Sequence, residues 1–179
     1  MEAVVGAVAV EDFPVAAFPE EEATLAVVAR VEAGDMKPKN FISALDEKRM
    51  VAAIAEAETK TSGEIRVYIS ARNRNDALGA AKIRFEKLGM TNTRLRNGVL
   101  IFIAPITQKF AIIGDAGIHE KCGDEFWKTI SAGIGDLFKQ GLFTEAIVRA
   151  VQEVGNALAR HFPSGPDDRN ELPNEILRD

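Results

Sequence analysis

Cysteine and histidine are scarce in this chain of 179 residues, which contains one Cys and two His. A single cysteine, Cys122, excludes an intramolecular disulfide and fits a reducing compartment, so we expect a cytoplasmic location. His119 lies close to Cys122 and has no distant partner ligand. Because zinc prefers Cys and His at defined spacings, a zinc site is not expected.

Long apolar runs are also missing. The run Ala3–Val10 ends at two acids and is much shorter than the about 20 residues that span a bilayer. No basic segment precedes it, as one would in a signal peptide. The chain lacks glycine-rich phosphate motifs and a serine elbow, and no aromatic residues alternate with its arginines for stacking on bases. We therefore expect neither a membrane span nor a nucleic-acid partner.

The acidic residues are concentrated at the two ends of the chain. The net charge is −5, yet residues 1–35 hold eight acids and one base, and residues 163–179 hold five acids and two bases. The middle of the chain is therefore net positive. The overall sign still argues mildly against nucleic acid and against an anionic membrane surface.

The same division predicts the domain organisation. We expect an N-terminal extension over residues 1–38, one domain over 39–163, and an acidic C-terminal tail over 164–179. The extension is predicted to be flexible or partly helical, with a short helix over Glu20–Val31. A natural start at Met36 is the alternative for this end of the chain.

The middle of the chain alternates helices and strands. Helices are predicted over Ser43–Thr59, Asp76–Leu88, Gly123–Phe138 and Thr144–His161. Strands are predicted over Glu64–Ser70, Gly98–Ala104 and Lys109–Gly114. The first two strands should be parallel, with a crossover helix between them, and the short link to the third strand should form an antiparallel hairpin. The fold class is therefore α/β, with a small mixed sheet and helices on both faces.

This topology places three polar loops at one edge of the sheet. Glu64, Asn97, Asp115 and Asp124 become neighbours there, and carboxylate and amide oxygens are the ligands that calcium and magnesium prefer. The predicted metal ligands are these four residues. Structural roles stay open beside this hypothesis: Asp115 and Asp124 can serve as a turn residue and a helix cap, and Glu64 can pair with a nearby arginine.

The same segments resemble the TPM domain family, in its short soluble bacterial branch. Four motifs carry the resemblance, and they match from about Phe41 to Pro163: Glu58–Val67, Leu95–Ile103, Phe110–Ile118 and Phe138–Ile147. The resemblance implies a three-layer α/β/α sandwich. Some relatives are described as acid phosphatases, and some bind calcium or related ions through acids in their loops. The positions that match these motifs are Glu64, Asn97-Gly98 and Gly114-Asp115, whereas Asp124 matches only by its place at a helix start.

Two functions follow from the resemblance and from the acidic loops. The first is a domain that binds Ca²⁺ or Mg²⁺ and hydrolyses a small phosphomonoester, where the metal would polarise a phosphoryl oxygen. No nucleophile or general acid stands out for that reaction. The second is a non-catalytic interaction module with a protein partner, which supports the repair or assembly of membrane protein complexes.

Overall fold

Five strands form one mixed sheet in the computed structural model, which describes residues 25–30, 38–166 and 175–178. The strands are β1 (Leu25–Arg30), β2 (Ile65–Ile69), β3 (Val99–Ala104), β4 (Lys109–Gly114) and β5 (Ile176–Arg178). Their order across the sheet is β1-β4-β3-β2-β5. The pair β2/β3 is parallel and the hairpin β3/β4 is antiparallel, which confirms both predicted pairings.

Five helices flank this sheet. They are α1 (Pro38–Ser43), α2 (Glu47–Glu58), α3 (Ala77–Lys87), α4 (Ala116–Lys139) and α5 (Phe143–His161). Short 3-10 turns lie at Met90–Asn92 and Pro105–Thr107. No helix in the described ranges combines the length and the apolarity needed to cross a bilayer.

The two outer strands differ from the sequence prediction. A helix over Glu20–Val31 is wrong for Leu25–Arg30, which pairs antiparallel with all of β4 as strand β1. A short apolar run carries no decisive period, and here the open edge of β4 imposes the strand conformation. At the other edge, three residues of the predicted tail pair with β2 as β5. Residues 1–24, 31–37, 167–174 and 179 of the predicted end segments lie outside the described residues.

Two helix starts also differ from the prediction. The first predicted helix, Ser43–Thr59, starts too early, because α2 begins at Glu47 and Ser43 is the last residue of the separate helix α1. Asp46 rather than Ser43 caps α2 by accepting a hydrogen bond from Arg49 N. Helix α4 begins at Ala116 and not near Gly123. Gly123 instead interrupts α4 with φ +69°, a left-handed conformation that glycine adopts at low cost.

The hydrophobic core is divided by the sheet into two clusters. The larger cluster packs α2, α4 and α5 against one face through β-strand residues such as Ile65, Ile101 and Ile112. The smaller one packs α3 against the opposite face through Phe85 and Phe102. Strand β3 is buried throughout, as its continuous apolar sequence predicts. The fold is thus a three-layer α/β/α sandwich.

Gly155 allows α2 and α5 to approach closely, because a Cβ there would lie 2.6 Å from the Cβ of Ala57. We expect Gly155→Ala to lower the free energy of unfolding by about 1–3 kcal/mol, since neither backbone can yield locally. The measurement is urea denaturation. The matched control is Gly133→Ala in α4, whose Cβ would meet only the Arg149 side chain at 3.8 Å. A control that loses as much stability as Gly155→Ala would contradict the packing argument.

Candidate functional site

The three loops predicted to meet do so at the backbone level. Val99 N–H donates to the carbonyl of Glu64 at 2.8 Å, and Asp115 N–H donates to the carbonyl of Gly98 at 2.9 Å. These bonds continue the β2/β3 and β3/β4 ladders by one residue beyond the strand ends. Glu64, Asn97 and Asp115 therefore belong to one edge of the sheet.

Asp115 uses both of its carboxylate oxygens inside the protein. Its side chain is fully buried, and it receives a bidentate pair from Arg96, with Nε–Oδ2 at 2.7 Å and Nη2–Oδ1 at 2.8 Å. The same Oδ1 also accepts the Ala116 N–H at 2.8 Å and so caps α4. The arginine is 38% exposed, so the pair faces solvent on one side only.

The backbone of Arg96 completes this cap. Its φ is +51°, a left-handed conformation that is uncommon for a residue with a side chain. Its carbonyl accepts the N–H groups of Gly117 at 2.8 Å and Ile118 at 3.3 Å. The first N–H groups of α4 are thereby bonded within the chain, which removes the donors that a helix N-terminus would offer to a phosphate.

Asn97 ties the loop before β3 to the loop that follows α2. It is buried, and its backbone N–H donates to Thr93 Oγ1 at 3.2 Å. Its Nδ2 donates to Ser62 Oγ at 3.3 Å, in the loop that follows α2. The Asn97 side chain therefore acts as a hydrogen-bond donor between the two loops.

Glu64 belongs to a buried charge cluster that sequence analysis did not identify, formed by Glu58, Glu64 and Arg66. The Arg66 side chain is only 2% exposed, and its guanidinium donates to Glu58 Oε1 at 3.0 Å and to Glu64 Oε2 at 2.9 Å. One buried cation is thus shared by two carboxylates. The clue in the sequence was an arginine on a strand that is otherwise apolar on both sides, but that pattern is equally typical of a strand with one solvated face.

This buried charge cluster also bonds the backbone of β2. Within the described residues, strand β5 pairs with Val67–Ile69. The Ile65 N–H donates to Glu58 Oε1 at 2.8 Å, and the Ile65 carbonyl accepts from Arg66 Nη1 at 2.7 Å. The charged side chains therefore satisfy both backbone groups of Ile65.

One oxygen of this cluster has no partner. Glu58 Oε2 is buried without a hydrogen bond, on a side chain that is 7% exposed. Burial raises the pKa of Glu58 to about 7, because the charged form loses solvation that the Ile65 N–H and Arg66 only partly replace. A carboxyl that holds a proton near neutral pH is the most unusual titratable group of the described residues.

Asp124 is placed by a different set of contacts. It follows the interruption of α4 at Gly123, is half exposed, and places its Oδ1 3.7 Å from His119 Nε2. The role of a first helix cap belongs to Asp115 instead. The structure thus brings together three of the four predicted ligands and gives the fourth another partner.

The predicted ligands do not form a ready-made metal cage. Among the described residues, no group of three or more His, Cys, Asp or Glu is arranged to hold an ion. Asp115 is committed to Arg96 and to the helix cap, and Glu64 is committed to Arg66. A cation at Asp115 would first have to displace a bidentate arginine.

Gly117 provides a test of the Arg96 cap. A Cβ at this position would lie 2.2 Å from the carbonyl oxygen of Leu95, which is backbone and cannot move aside. We expect Gly117→Ala to lower the free energy of unfolding by about 2 kcal/mol or more, with a lower melting temperature in a thermal scan. An unchanged melting temperature would show that α4 does not dock on this loop.

The raised pKa of Glu58 predicts how the stability of the fold depends on pH. Its folded pKa of about 7 exceeds its ordinary value of 4.5, so its contribution to stability is present at low pH and is lost as pH rises through 7. Between pH 5 and 8 the wild type should lose roughly 2–3 kcal/mol relative to Glu58→Gln, which cannot titrate. Urea denaturation of both proteins at the two pH values measures this loss. A difference that does not depend on pH would contradict the assignment.

Comparison with known proteins places this geometry in a family. The family model described as TPM domain matches residues 36–157. A search of curated proteins finds no match. Among solved structures, the chain is similar to the NMR structure of BA42 protein from the psychrophilic bacterium Bizionia argentinensis, with 44% identity and a TM-score of 0.69. That alignment covers 74% of this chain and 92% of the BA42 chain. The chain belongs to the TPM domain family.

Proposed function

We propose that this TPM domain is a non-catalytic interaction module. The observation that supports this most is the commitment of Asp115 to Arg96 and to the cap of α4. A carboxylate with both oxygens bonded inside the fold is a structural brace, not a group poised toward a substrate. The polar side chains at this edge of the sheet then serve to hold the three loops together.

Two side chains with nucleophilic atoms, Thr61 and Cys122, support the same proposal. Thr61 Oγ1 donates to the Phe162 carbonyl at 2.6 Å and accepts the Gly63 N–H. Burial raises the pKa of the Cys122 thiol, which disfavours the reactive thiolate. Neither group is prepared to attack a phosphorus centre.

A phosphomonoesterase assay tests the proposal. The purified chain is incubated with p-nitrophenyl phosphate in the presence of calcium, of magnesium, or of a chelator. We expect no turnover above that of the Asp115→Asn variant in any of the three. Metal-dependent turnover that disappears in Asp115→Asn or Glu64→Gln would refute the non-catalytic proposal.

Divalent-cation binding is a second candidate, and the buried charge cluster favours it. Glu58 Oε2 is an unbonded carboxylate oxygen on the same arginine as Glu64, and three ionised members would leave one excess negative charge in the interior. A proton or a hard cation relieves that excess. We propose that Glu58 holds Ca²⁺ or Mg²⁺ through its unbonded Oε2, in place of the four-residue set predicted from sequence.

Calorimetric titration with each metal at pH 8 tests this candidate. Glu58→Gln should abolish the binding heat. The matched control is Glu56→Gln, on the same helix but exposed and paired with Lys60 at 2.8 Å, which should leave the heat unchanged. Equal binding by wild type and Glu58→Gln would place any metal elsewhere.

A further inference from the structure

Three successive residues of strand β5 are each recognised by a different part of the domain. The strand pairs in parallel with Val67–Ile69 of β2. The Ile176 side chain packs against the larger core cluster, and the Leu177 side chain packs against the smaller one on the opposite face of the sheet. The Arg178 guanidinium donates to the carboxylate of Glu47, the first residue of α2. Together, Val67–Ile69, Glu47 and the two flanking clusters form a groove, the β2 groove, that holds an extended chain segment.

The register of β5 indicates which sequence fits the β2 groove. Ile176 lies beside Val67 of the larger cluster, and Leu177 lies beside Tyr68 of the smaller one. Because successive side chains of a strand point to opposite faces, and helices cover both faces here, two consecutive positions of the occupant need apolar side chains. The third side chain points to the α2 side again, where Glu47 favours a base. The β2 groove thus selects two apolar residues followed by arginine or lysine.

The present occupant is short and partly exposed. Strand β5 has three residues, of which Ile176 and Leu177 are half-buried and Arg178 is exposed. So short a strand buries little apolar surface, and its ion pair is screened because the two side chains are 37% and 51% exposed. The TPM family model matches α2 and β2 but ends at residue 157, before β5. The groove therefore belongs to the matched domain, whereas its occupant lies outside the match.

We propose that the β2 groove binds an extended segment of a partner protein, with two consecutive apolar residues and then arginine or lysine, and that β5 occupies the groove until this segment displaces it. Addition of a strand to a sheet edge is a common mode of peptide recognition, in which backbone hydrogen bonds provide affinity and side-chain contacts provide specificity. A second copy of the chain is a poorer occupant, because it offers the same residues that β5 already offers at the effective concentration of a tethered segment, about millimolar. The inference rests on the proposed function of an interaction module and names the chemistry of its partner.

Competition between β5 and a free peptide tests the inference. The probe is a fluorescein-labelled peptide with the sequence of residues 171–179, and its binding to the full chain is measured by fluorescence anisotropy. Ile176→Ser with Leu177→Ser, the released variant, should weaken the docking of β5 and raise the affinity for the probe at least about tenfold above wild type. Arg178→Glu alone should raise it as well, through loss of the ion pair with Glu47.

A charge exchange tests the specificity of the groove. A probe with Arg178→Glu should bind the released variant about fivefold more weakly than the original probe, and Glu47→Lys in the released variant should reverse this preference. The matched control is Glu56→Lys, which changes an exposed acid farther along α2 that pairs with Lys60. This control should leave the preference unchanged.

Failure of the probe to bind the released variant, while its circular dichroism matches that of wild type, overturns the inference. Equal affinity of the released variant for the two probes overturns it as well. A wild-type dimer that the released variant converts to a monomer, measured by light scattering, overturns it in favour of a second copy as the occupant. Phosphomonoester turnover contradicts the proposed function instead, so the two failures are distinguishable.

Discussion

The arrangement of this domain's polar edge depends on one buried carboxylate. Asp115 follows β4, caps α4 and binds Arg96, and the carbonyl of Arg96 then receives the next two N–H groups of the helix. A buried carboxylate is costly unless it is paired and hydrogen-bonded, and here the Arg96 guanidinium and the Ala116 N–H are such partners. The strained backbone of Arg96 is the accompanying cost.

A second constraint concerns the backbone of β2 at Ile65. Its N–H donates to Glu58 and its carbonyl accepts from Arg66, and both belong to the buried charge cluster of Glu58, Glu64 and Arg66. The cluster also carries one more carboxylate than it has cations. The same three side chains therefore bond the Ile65 backbone and contain a carboxyl whose burial raises its pKa to about 7.

Much of the fold could be predicted from the spacing of apolar residues. Strand β3 is one continuous apolar run, and the apolar residues of α5 recur at helical spacing along one face. Strands β1 and β5 could not, since each is defined by the free edge of a neighbour distant in sequence. Spacing predicted that Glu64, Asn97 and Asp115 share an edge. Spacing could not show that Arg66 already binds Glu64 and that Arg96 already binds Asp115, because such pairs depend on side-chain conformation.

Asp115 and Arg96 together act as a structural brace for this edge of the sheet. A double-mutant cycle with Asp115→Asn and Arg96→Met, measured by urea denaturation in a chelator and again in calcium, tests this role. The pair is partly exposed, so we expect a coupling free energy of about 1–2 kcal/mol that is the same in both buffers. A coupling near zero in chelator, or stability of Asp115 variants that responds to calcium, would contradict the brace and return Asp115 to the role of a metal ligand.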